Sequence, residues 1–213
     1  MKREEWNRKY ASPDFLWSTE PNRFLVAEAE GLPSGRALDL ACGEGRNAVW
    51  LAQRGWQVAA VDFSEVALAK AERLADSRGV EVEWVAADLL DYRPTGTFDL
   101  VAVLYLQLPS EERRLVLERA SEALAPGGTL LVVGHDLSNL TEGYGGPTNA
   151  AVLFTPDDIV RELPGLVVER AKRVRRPVAV DGGEVEAIDA LVRARKRVAR
   201  TNSARDERSP APA

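Results

Sequence analysis

The sequence has very few of the residues that build disulfides and metal centres. Among its 213 residues there is one cysteine and one histidine. An internal disulfide is therefore excluded, and a zinc site of the usual Cys/His type would lack ligands, so we expect no metal. No run of about 18 apolar residues occurs, which argues against a membrane-spanning helix. The polar N-terminus MKREEW lacks the apolar segment of a secretory signal. Together these absences favour a cytoplasmic protein.

The overall charge is mildly acidic but unevenly distributed along the chain. With 28 Lys and Arg against 33 Asp and Glu, the formal net charge is −5, which gives no reason to expect a DNA-binding protein. From residue 170 onward, however, 12 Lys and Arg face only 6 Asp and Glu. We favour solvated strand faces and a soluble tail as the interpretation. The alternative is a site for an anionic substrate or RNA, which the cluster at 193–197 does not establish by itself.

Apolar runs alternate with amphipathic segments between residues 36 and 135, a rhythm typical of parallel βαβ units. Ser64 is suited to cap the second helix of this region and Gly79 to end it. The predicted strands lie at 36–41, 57–62, 80–86, 98–104 and 129–134, with helices at 46–54, 65–79 and 110–125.

The later part of the chain departs from this rhythm. Residues 137–155 are rich in Gly, Asn, Thr and Pro, and a connection of this length more often carries function than not. Two β-prone runs, 166–180 and 184–196, then flank a tight-turn sequence and predict a hairpin. We therefore expect an α/β fold, a Rossmann-like doubly wound sheet of seven mostly parallel strands with a C-terminal antiparallel hairpin. Residues 201–213 predict a disordered tail.

A glycine-rich turn follows the first predicted strand, in the sequence LDLACGEGRNA at 38–48. Gly43 and Gly45 allow the backbone to approach a ligand closely, and the spacing also loosely fits a dinucleotide fingerprint. A pyrophosphate favours bare N–H groups, and nearby carboxylates such as Asp39 and Glu44 oppose it. A ligand with an ammonium and a sulfonium suits these acids. The charges therefore favour S-adenosylmethionine over a nicotinamide dinucleotide.

Two further acids stand at successive strand ends. Asp62 ends the second strand, where its oxygens can accept from both ribose hydroxyls, as an acid does in dinucleotide folds. Asp88 follows the third strand, where it can accept from the adenine amino group. Either acid alone is also explained as a cap of the following turn. Three acids at successive strand ends beside a glycine turn indicate a site for an adenosine-type ligand.

The segments LDLACGEGRNAVWLA, VAAVDFS, AADLLD, FDLVAVLYLQL and LAPGGTLLVV occur in this order between residues 38 and 133. In this order they resemble the class I S-adenosylmethionine-dependent methyltransferases, although Ala41 stands where that family usually has glycine. The resemblance implies one methyltransferase domain over 1–200, with a cofactor-binding core at 36–135 and a substrate loop and terminal hairpin at 137–200. It also implies a set of cofactor-binding residues: Asp39, Ala41, Cys42, Gly43, Gly45, Asn47, Asp62, Phe63, Asp88, Leu89 and Leu104.

Aromatic residues are concentrated near the N-terminus, in WNRKY, FLW and EPNRF between residues 6 and 24. This pattern resembles the small-molecule branch that includes tellurite-resistance and thiopurine methyltransferases. The resemblance implies that residues 1–30 form a helical lid, with Tyr10 and Trp17 over the cofactor, where aromatic faces suit a sulfonium. The alternative is that these rings only pack a first helix onto the sheet.

The methyl acceptor is expected to be a small molecule, because the chain lacks the (Asp/Asn)-Pro-Pro-(Tyr/Phe) segment of DNA amino-methylating enzymes. Tyr105, Gln107 and Tyr144 are the candidate pocket residues. His135 is the candidate general base, with the adjacent Asp136 as the carboxylate that could orient its imidazole, and a surface-loop histidine is the alternative. An NAD-dependent oxidoreductase and a non-catalytic adenosine-ligand-binding protein stay open as other functions. We expect a monomer or a homodimer.

Overall fold

The computed structural model of the chain describes residues 3–198, and its centre is one seven-stranded sheet. The strand order is β3-β2-β1-β4-β5-β7-β6. Strands β1 to β5 run parallel to one another, whereas β7 is antiparallel to both β5 and β6. The predicted fold and its terminal hairpin are therefore confirmed. The strands are β1 Arg36–Leu40, β2 Gln57–Asp62, β3 Glu83–Ala86, β4 Phe98–Leu104, β5 Leu124–His135, β6 Leu166–Val180 and β7 Gly183–Lys196.

Helices cover both faces of the sheet. Their ends follow local chemistry, since the Ser64 side chain accepts from the Ala67 N–H at the start of α4 and Gly79 ends it at φ 65°. Thr155 and Asp158 form a capping box at α7. None of the helices in residues 3–198 has the length and hydrophobicity needed to cross a lipid bilayer. The helices are α1 Arg3–Tyr10, α2 Arg23–Ala29, α3 Arg46–Gln53, α4 Glu65–Arg78, α5 Ser110–Glu122, α6 Asn139–Glu142 and α7 Pro156–Glu162, with a 3₁₀ turn at Ala150–Val152.

The central strands bury side chains on both faces, as a doubly wound parallel sheet requires. On β4, Val101 and Val103 join an apolar cluster that includes Leu117 of α5. The alternate residues Leu100 and Ala102 join a second cluster on the opposite face. Helices therefore flank the sheet, and its carboxyl edge is left to the loops that carry the candidate site.

Strand β5 begins at Leu124, five residues before the predicted start at 129. The Pro-Gly-Gly sequence at 126–128 lies inside this strand, with a shift in its pairing with β4 between Phe98 and Leu100. A Cβ at Gly128 would lie 2.8 Å from the carbonyl oxygen of Phe98, so glycine permits this close approach. The expected tail at 201–213 lies outside the described residues.

Candidate functional site

The glycine turn joins β1 to α3 with three left-handed backbone positions at alternate residues, Ala41 at φ 60°, Gly43 at φ 54° and Gly45 at φ 80°. Two of the three are glycines, which adopt this conformation without strain. A Cβ at Gly45 would lie 2.6 Å from the Cβ of Ala71 on α4, so glycine also lets α3 and α4 pack. Ala41 adopts the same region at a cost, which explains why glycine suits this position.

Asp39 lies beneath the glycine turn and is 1% exposed. Its carboxylate accepts from the Ala48 N–H, while its Oδ2 is buried without a hydrogen-bond partner. Burial, together with the charge of Asp62, raises the pKa of Asp39 to about 7. Because buried carboxylates require compensation, this oxygen marks a place for a cationic or hydrogen-donating ligand group.

Asp62 and Asp88 both accept hydrogen bonds from backbone N–H groups of turns at this edge of the sheet. The Oδ2 of Asp62 accepts from the Gly43 N–H at 2.9 Å and its Oδ1 from the Ser64 N–H at 2.9 Å. Burial raises the pKa of Asp62 despite these hydrogen bonds. Asp88 Oδ1 accepts from the Leu90 N–H at 2.9 Å. Each carboxylate therefore has the capping role considered for it, and its ligand role would use the remaining lone pairs.

The N-terminal segment lies over the glycine turn. Glu44 is buried, and its two oxygens accept from the backbone N–H groups of Leu16 at 2.9 Å and Trp17 at 3.1 Å. Lys70 of α4 completes this contact with an ion pair of 2.9 Å to Glu44. Tyr10 is also buried, and a Cβ on Gly43 would lie 3.0 Å from its hydroxyl oxygen. The chain thus places Tyr10 at the turn, whereas the Trp17 side chain is 49% exposed.

A second cluster lies beyond the glycine turn, at the carboxyl end of β4. Tyr105 has φ 57°, an unusual conformation for a bulky residue. Its hydroxyl donates to Asp189 Oδ2 at 2.8 Å, and Arg176 Nε donates to the same oxygen at 2.9 Å. His135 Nδ1 lies 3.3 Å from Asp189 Oδ1. Tyr105, His135 and Arg176 thus surround one buried carboxylate.

The charges in this cluster are compensated at Asp189. Although burial raises the pKa of this carboxyl, the neighbouring His135 and Arg176 hold that pKa below its usual value. Burial and the negative charge of Asp189 raise the pKa of the Tyr105 hydroxyl. Tyr105 is therefore a neutral donor, and Asp189 is a carboxylate throughout the physiological range.

The expected pairing of His135 with Asp136 is not the one formed. The Oδ1 of Asp136 accepts from the Ser138 N–H at 2.9 Å and lies 3.0 Å from the Arg173 Nε. Successive side chains of a strand point to opposite faces, so neighbours in sequence are separated. His135 instead pairs in register with Asp189 of β7, which brings that carboxylate to its ring.

The remaining predicted residues lie around these two clusters. Leu104, Leu89 and Cys42 are buried, and Asn47 is buried with its Oδ1 accepting from the Asn22 N–H at 2.8 Å. The side chains of Phe63 and Gln107 are half-buried. Tyr144 is 51% exposed, and its N–H donates to the Glu186 carbonyl at 3.0 Å. A Cβ at Gly146 would lie 2.9 Å from the His135 ring, so the loop around residues 143–147 covers this ring.

Sequence reasoning missed three charged residues of the second cluster. Asp189 interrupts the apolar run AIDALV at 187–192, and an acid inside a buried strand was the available signal. Arg176 lay within a basic run interpreted as solvated. Arg46 is the first residue of α3, and burial lowers its pKa while it interacts with Tyr105 and Arg176. No local pattern distinguishes Arg46 from an ordinary exposed helical arginine.

Residues 37–128 match the family model described as a methyltransferase domain. The chain is 39% identical over 101 residues to a demethylmenaquinone methyltransferase of Thermus thermophilus, covering 46% of each protein. It is 30% identical over 139 residues to thiocyanate methyltransferase 1 of Arabidopsis thaliana, covering 63% of this chain and 60% of the relative. The chain thus spans about half to three fifths of the length of these relatives.

The fold is shared with the N-methyltransferase NodS of Bradyrhizobium japonicum, whose structure contains S-adenosyl-L-homocysteine. The TM-score is 0.70 at 19% identity, covering 91% of this chain and 97% of NodS. This likeness concerns the fold, whereas the domain match rests on the sequence. Together with the glycine turn and the acids at the strand ends, these matches confirm the predicted family. Residues 37–128 of the chain therefore match the methyltransferase domain family.

Proposed function

We propose that the protein transfers a methyl group from S-adenosylmethionine to a small-molecule nucleophile. The observation that carries this proposal is the separation of two sites along one sheet edge. Asp39 and Asp62, on β1 and β2, stand beside the glycine turn, whereas Tyr105, His135 and Asp189 lie on β4, β5 and β7. One side suits the cofactor, and the other suits an acceptor.

The residues around the glycine turn fit the cofactor. The unpartnered Oδ2 of Asp39 suits its ammonium group, and the backbone at Gly43 approaches without a Cβ. Asp62 would hold the ribose, and Asp88 with Leu89 would contact the adenine. When bound, the cofactor supplies a methyl group already activated on a sulfonium. The protein's part is to orient the two reactants and exclude water.

The N-terminal segment and the loop around residues 143–147 would cover the two sites. We assign residues 1–30 as a lid, because Glu44 binds the backbone of Leu16 and Trp17 directly over the turn. The substrate side comprises residues 137–200, and within it the segment at 143–147 lies on His135. In this assignment residues 1–200 work as one domain around a core at 36–135.

His135 is the candidate base for an acceptor that must lose a proton. Asp189, with its Oδ1 3.3 Å from the His135 Nδ1, would orient the ring. This role belongs to the pair His135 and Asp189, and Asp136 is not needed for it. A thiol or amine acceptor can react without such help, so the base serves acceptors of the phenol type.

Calorimetric titration of the purified protein with S-adenosylhomocysteine tests the cofactor, with NAD as the control ligand. Micromolar binding of the thioether compound with no heat from NAD is the expected result. Binding of NAD alone would contradict the proposal and favour an oxidoreductase. Release of S-adenosylhomocysteine from S-adenosylmethionine, measured with panels of thiols, phenols and heterocycles, then distinguishes an enzyme from a cofactor-binding protein.

A further inference from the structure

A buried arginine on α5 lies against the turn that follows β3, at residues 88–92. Arg119 is 7% exposed, and this turn includes the acid proposed to contact the adenine. The Arg119 Nη1 donates to three backbone carbonyl oxygens of the turn, those of Leu89 at 2.9 Å, Leu90 at 2.7 Å and Tyr92 at 3.2 Å. Resting on the proposed function, we infer that Arg119 is a positioning residue, which fixes the turn for selective recognition of the adenine amino group.

The charge of Arg119 is compensated by the turn rather than by an acid. Among the residues that the structure describes, none of the Asp and Glu side chains forms an ion pair with it. Its Nε is buried without a hydrogen-bond partner. An arginine keeps its charge in a protein interior, and a buried charge is unfavourable unless polar groups surround it. Moving the turn away would remove the carbonyl oxygens that stabilise this cation.

The hydrogen bonds within the turn all converge on its first residue. The Leu90 N–H donates to Asp88 Oδ1 at 2.9 Å. The N–H groups of Asp91 and Tyr92 donate to the Asp88 carbonyl at 3.0 and 2.8 Å. These bonds shape the turn, whereas Arg119 joins its far side to α5 by a directional polar contact. The carboxylate of Asp88 is thereby held in place, with Oδ2 left to accept from a ligand.

A fixed carboxylate at this position distinguishes adenine from hypoxanthine. Adenine carries an amino group, which donates a hydrogen bond, where hypoxanthine carries a carbonyl oxygen, which accepts one. Asp88 favours the first base and opposes the second, because two acceptors then face each other. Such discrimination is strong where the polar groups of the site cannot move away from the wrong ligand. Arg119 would supply this rigidity without touching the cofactor.

Helix α5 also provides a matched control for Arg119. Arg113 is 4% exposed and pairs with Glu162 of α7 at 2.6 Å, instead of with the turn at 88–92. Its replacement removes a buried cation from the same helix and leaves a carboxylate without its partner, which is also destabilising. A general loss of stability would therefore appear in variants of both arginines, and displacement of the turn only in variants of Arg119.

The test compares the binding of S-adenosylhomocysteine and S-inosylhomocysteine, its hypoxanthine analogue, to the full-length protein by calorimetry. We expect the native protein to prefer the adenine compound about tenfold or more. Arg119→Met should lower this preference about fivefold, mainly by weakening the adenine compound. Arg119→Lys should lower it about twofold, since an ammonium keeps the charge but lacks the reach of the guanidinium. Arg113→Met and Arg113→Lys should keep the native preference.

Hydrogen exchange of the ligand-free protein gives a second measurement. The amides of Leu90 and Tyr92 should exchange faster in Arg119→Met than in Arg113→Met, because only the first variant releases the turn. If Arg119→Met does not fold, the two lysine variants are compared in the same way.

An unchanged preference in the Arg119 variants, or an equal loss in the Arg113 variants, would overturn the inference. The absence of any preference for the adenine compound in the native protein, or equal exchange of the turn amides in the paired variants, would overturn it as well. If the native protein binds neither compound, the proposed function itself fails.

Discussion

At the scale of single residues, the two halves of the site differ in how their acids are compensated. Asp189 is surrounded by donors, and its pKa is lowered. Asp39 has one unpartnered oxygen, and its pKa is raised to about 7. The first carboxylate is charged over the whole physiological range and organises its neighbours. The Asp39 carboxylate changes its charge near neutrality, and its unpartnered oxygen can accept from a cationic group of a ligand.

Cofactor binding should therefore depend on pH through Asp39. Because its pKa is raised, the carboxylate is protonated below about 7 and charged above it. A cationic ammonium group binds the charged form, so affinity is present at high pH and lost as pH falls. We expect S-adenosylhomocysteine to bind about tenfold more weakly at pH 6 than at pH 8, measured by calorimetry.

Asp39→Asn should bind more weakly and lose this pH dependence. The matched control is Asp99→Asn at the amino edge of the sheet, where Asp99 accepts from the Arg36 N–H at 2.8 Å. This variant should keep the native pH profile. A profile that is the same in Asp39→Asn and in the native protein would assign the titration to another group.

At the scale of elements, the N-terminal segment is attached to the core by polar contacts rather than by a large apolar face. Lys70 of α4 donates both to Glu44 and to the Asp14 carbonyl, at 2.9 and 2.6 Å. At the other end of the segment, the Asn22 side chain accepts from Phe24 and Leu25 at the start of α2. The buried ion pair between Lys70 and Glu44 is thus the central contact that holds the N-terminal segment on the core.

Breaking that ion pair from the lysine side should strongly destabilise the protein. Lys70→Met leaves Glu44 buried without its cation, which costs about 3–5 kcal/mol for buried pairs. Urea unfolding should show this loss, and hydrogen exchange should show faster opening of residues 11–20. Lys172→Met, on the exposed strand β6, should change the free energy of unfolding by less than about 0.5 kcal/mol. Equal stability of the two variants would show that the ion pair has no such role.

At the scale of the whole molecule, the strand order arranges the residues proposed for the cofactor and those proposed for the acceptor one after the other along one edge of the sheet. Strands β3, β2 and β1 carry the acids assigned to the cofactor, and β4, β5, β7 and β6 carry the cluster around Asp189. Tyr105, at the end of β4, stands at the boundary. Substitutions on the two sides should therefore affect different constants.

Asp62→Ala and Tyr105→Phe should separate the effect of a substitution on cofactor binding from its effect on methyl transfer. Asp62→Ala should weaken S-adenosylhomocysteine at least tenfold, and also cost about 1–3 kcal/mol of stability because the Gly43 and Ser64 N–H groups lose their acceptor. Tyr105→Phe should keep that affinity within twofold but lower the kcat of transfer about tenfold. Asp99→Ala controls for lost stability alone. Equal effects of the two variants on cofactor affinity would contradict the assigned division.

The elements that local chemistry specifies could be predicted closely from the sequence. Strand β2 at Gln57–Asp62, strand β4 at Phe98–Leu104 and helix α4 between Ser64 and Gly79 have the predicted bounds. The apolar runs and the capping residues that specify these elements lie within a few residues of one another in the sequence. The predicted start of β5 was wrong. The Pro-Gly-Gly sequence suggests a loop, but pairing with β4 keeps this part of the chain in the sheet.

The sequence by itself determined the fold and the glycine turn, because periodicity, caps and turn residues act over short stretches of chain. It also determined the three acids at strand ends, since parallel strands bring their carboxyl ends to one edge. Only the tertiary structure decided the partner of His135, the ion pair by which Lys70 holds the N-terminal segment, and the contact of Arg176 with Tyr105. These contacts join residues of separate strands and helices, so strand register and helix packing set them, and no local pattern specifies either.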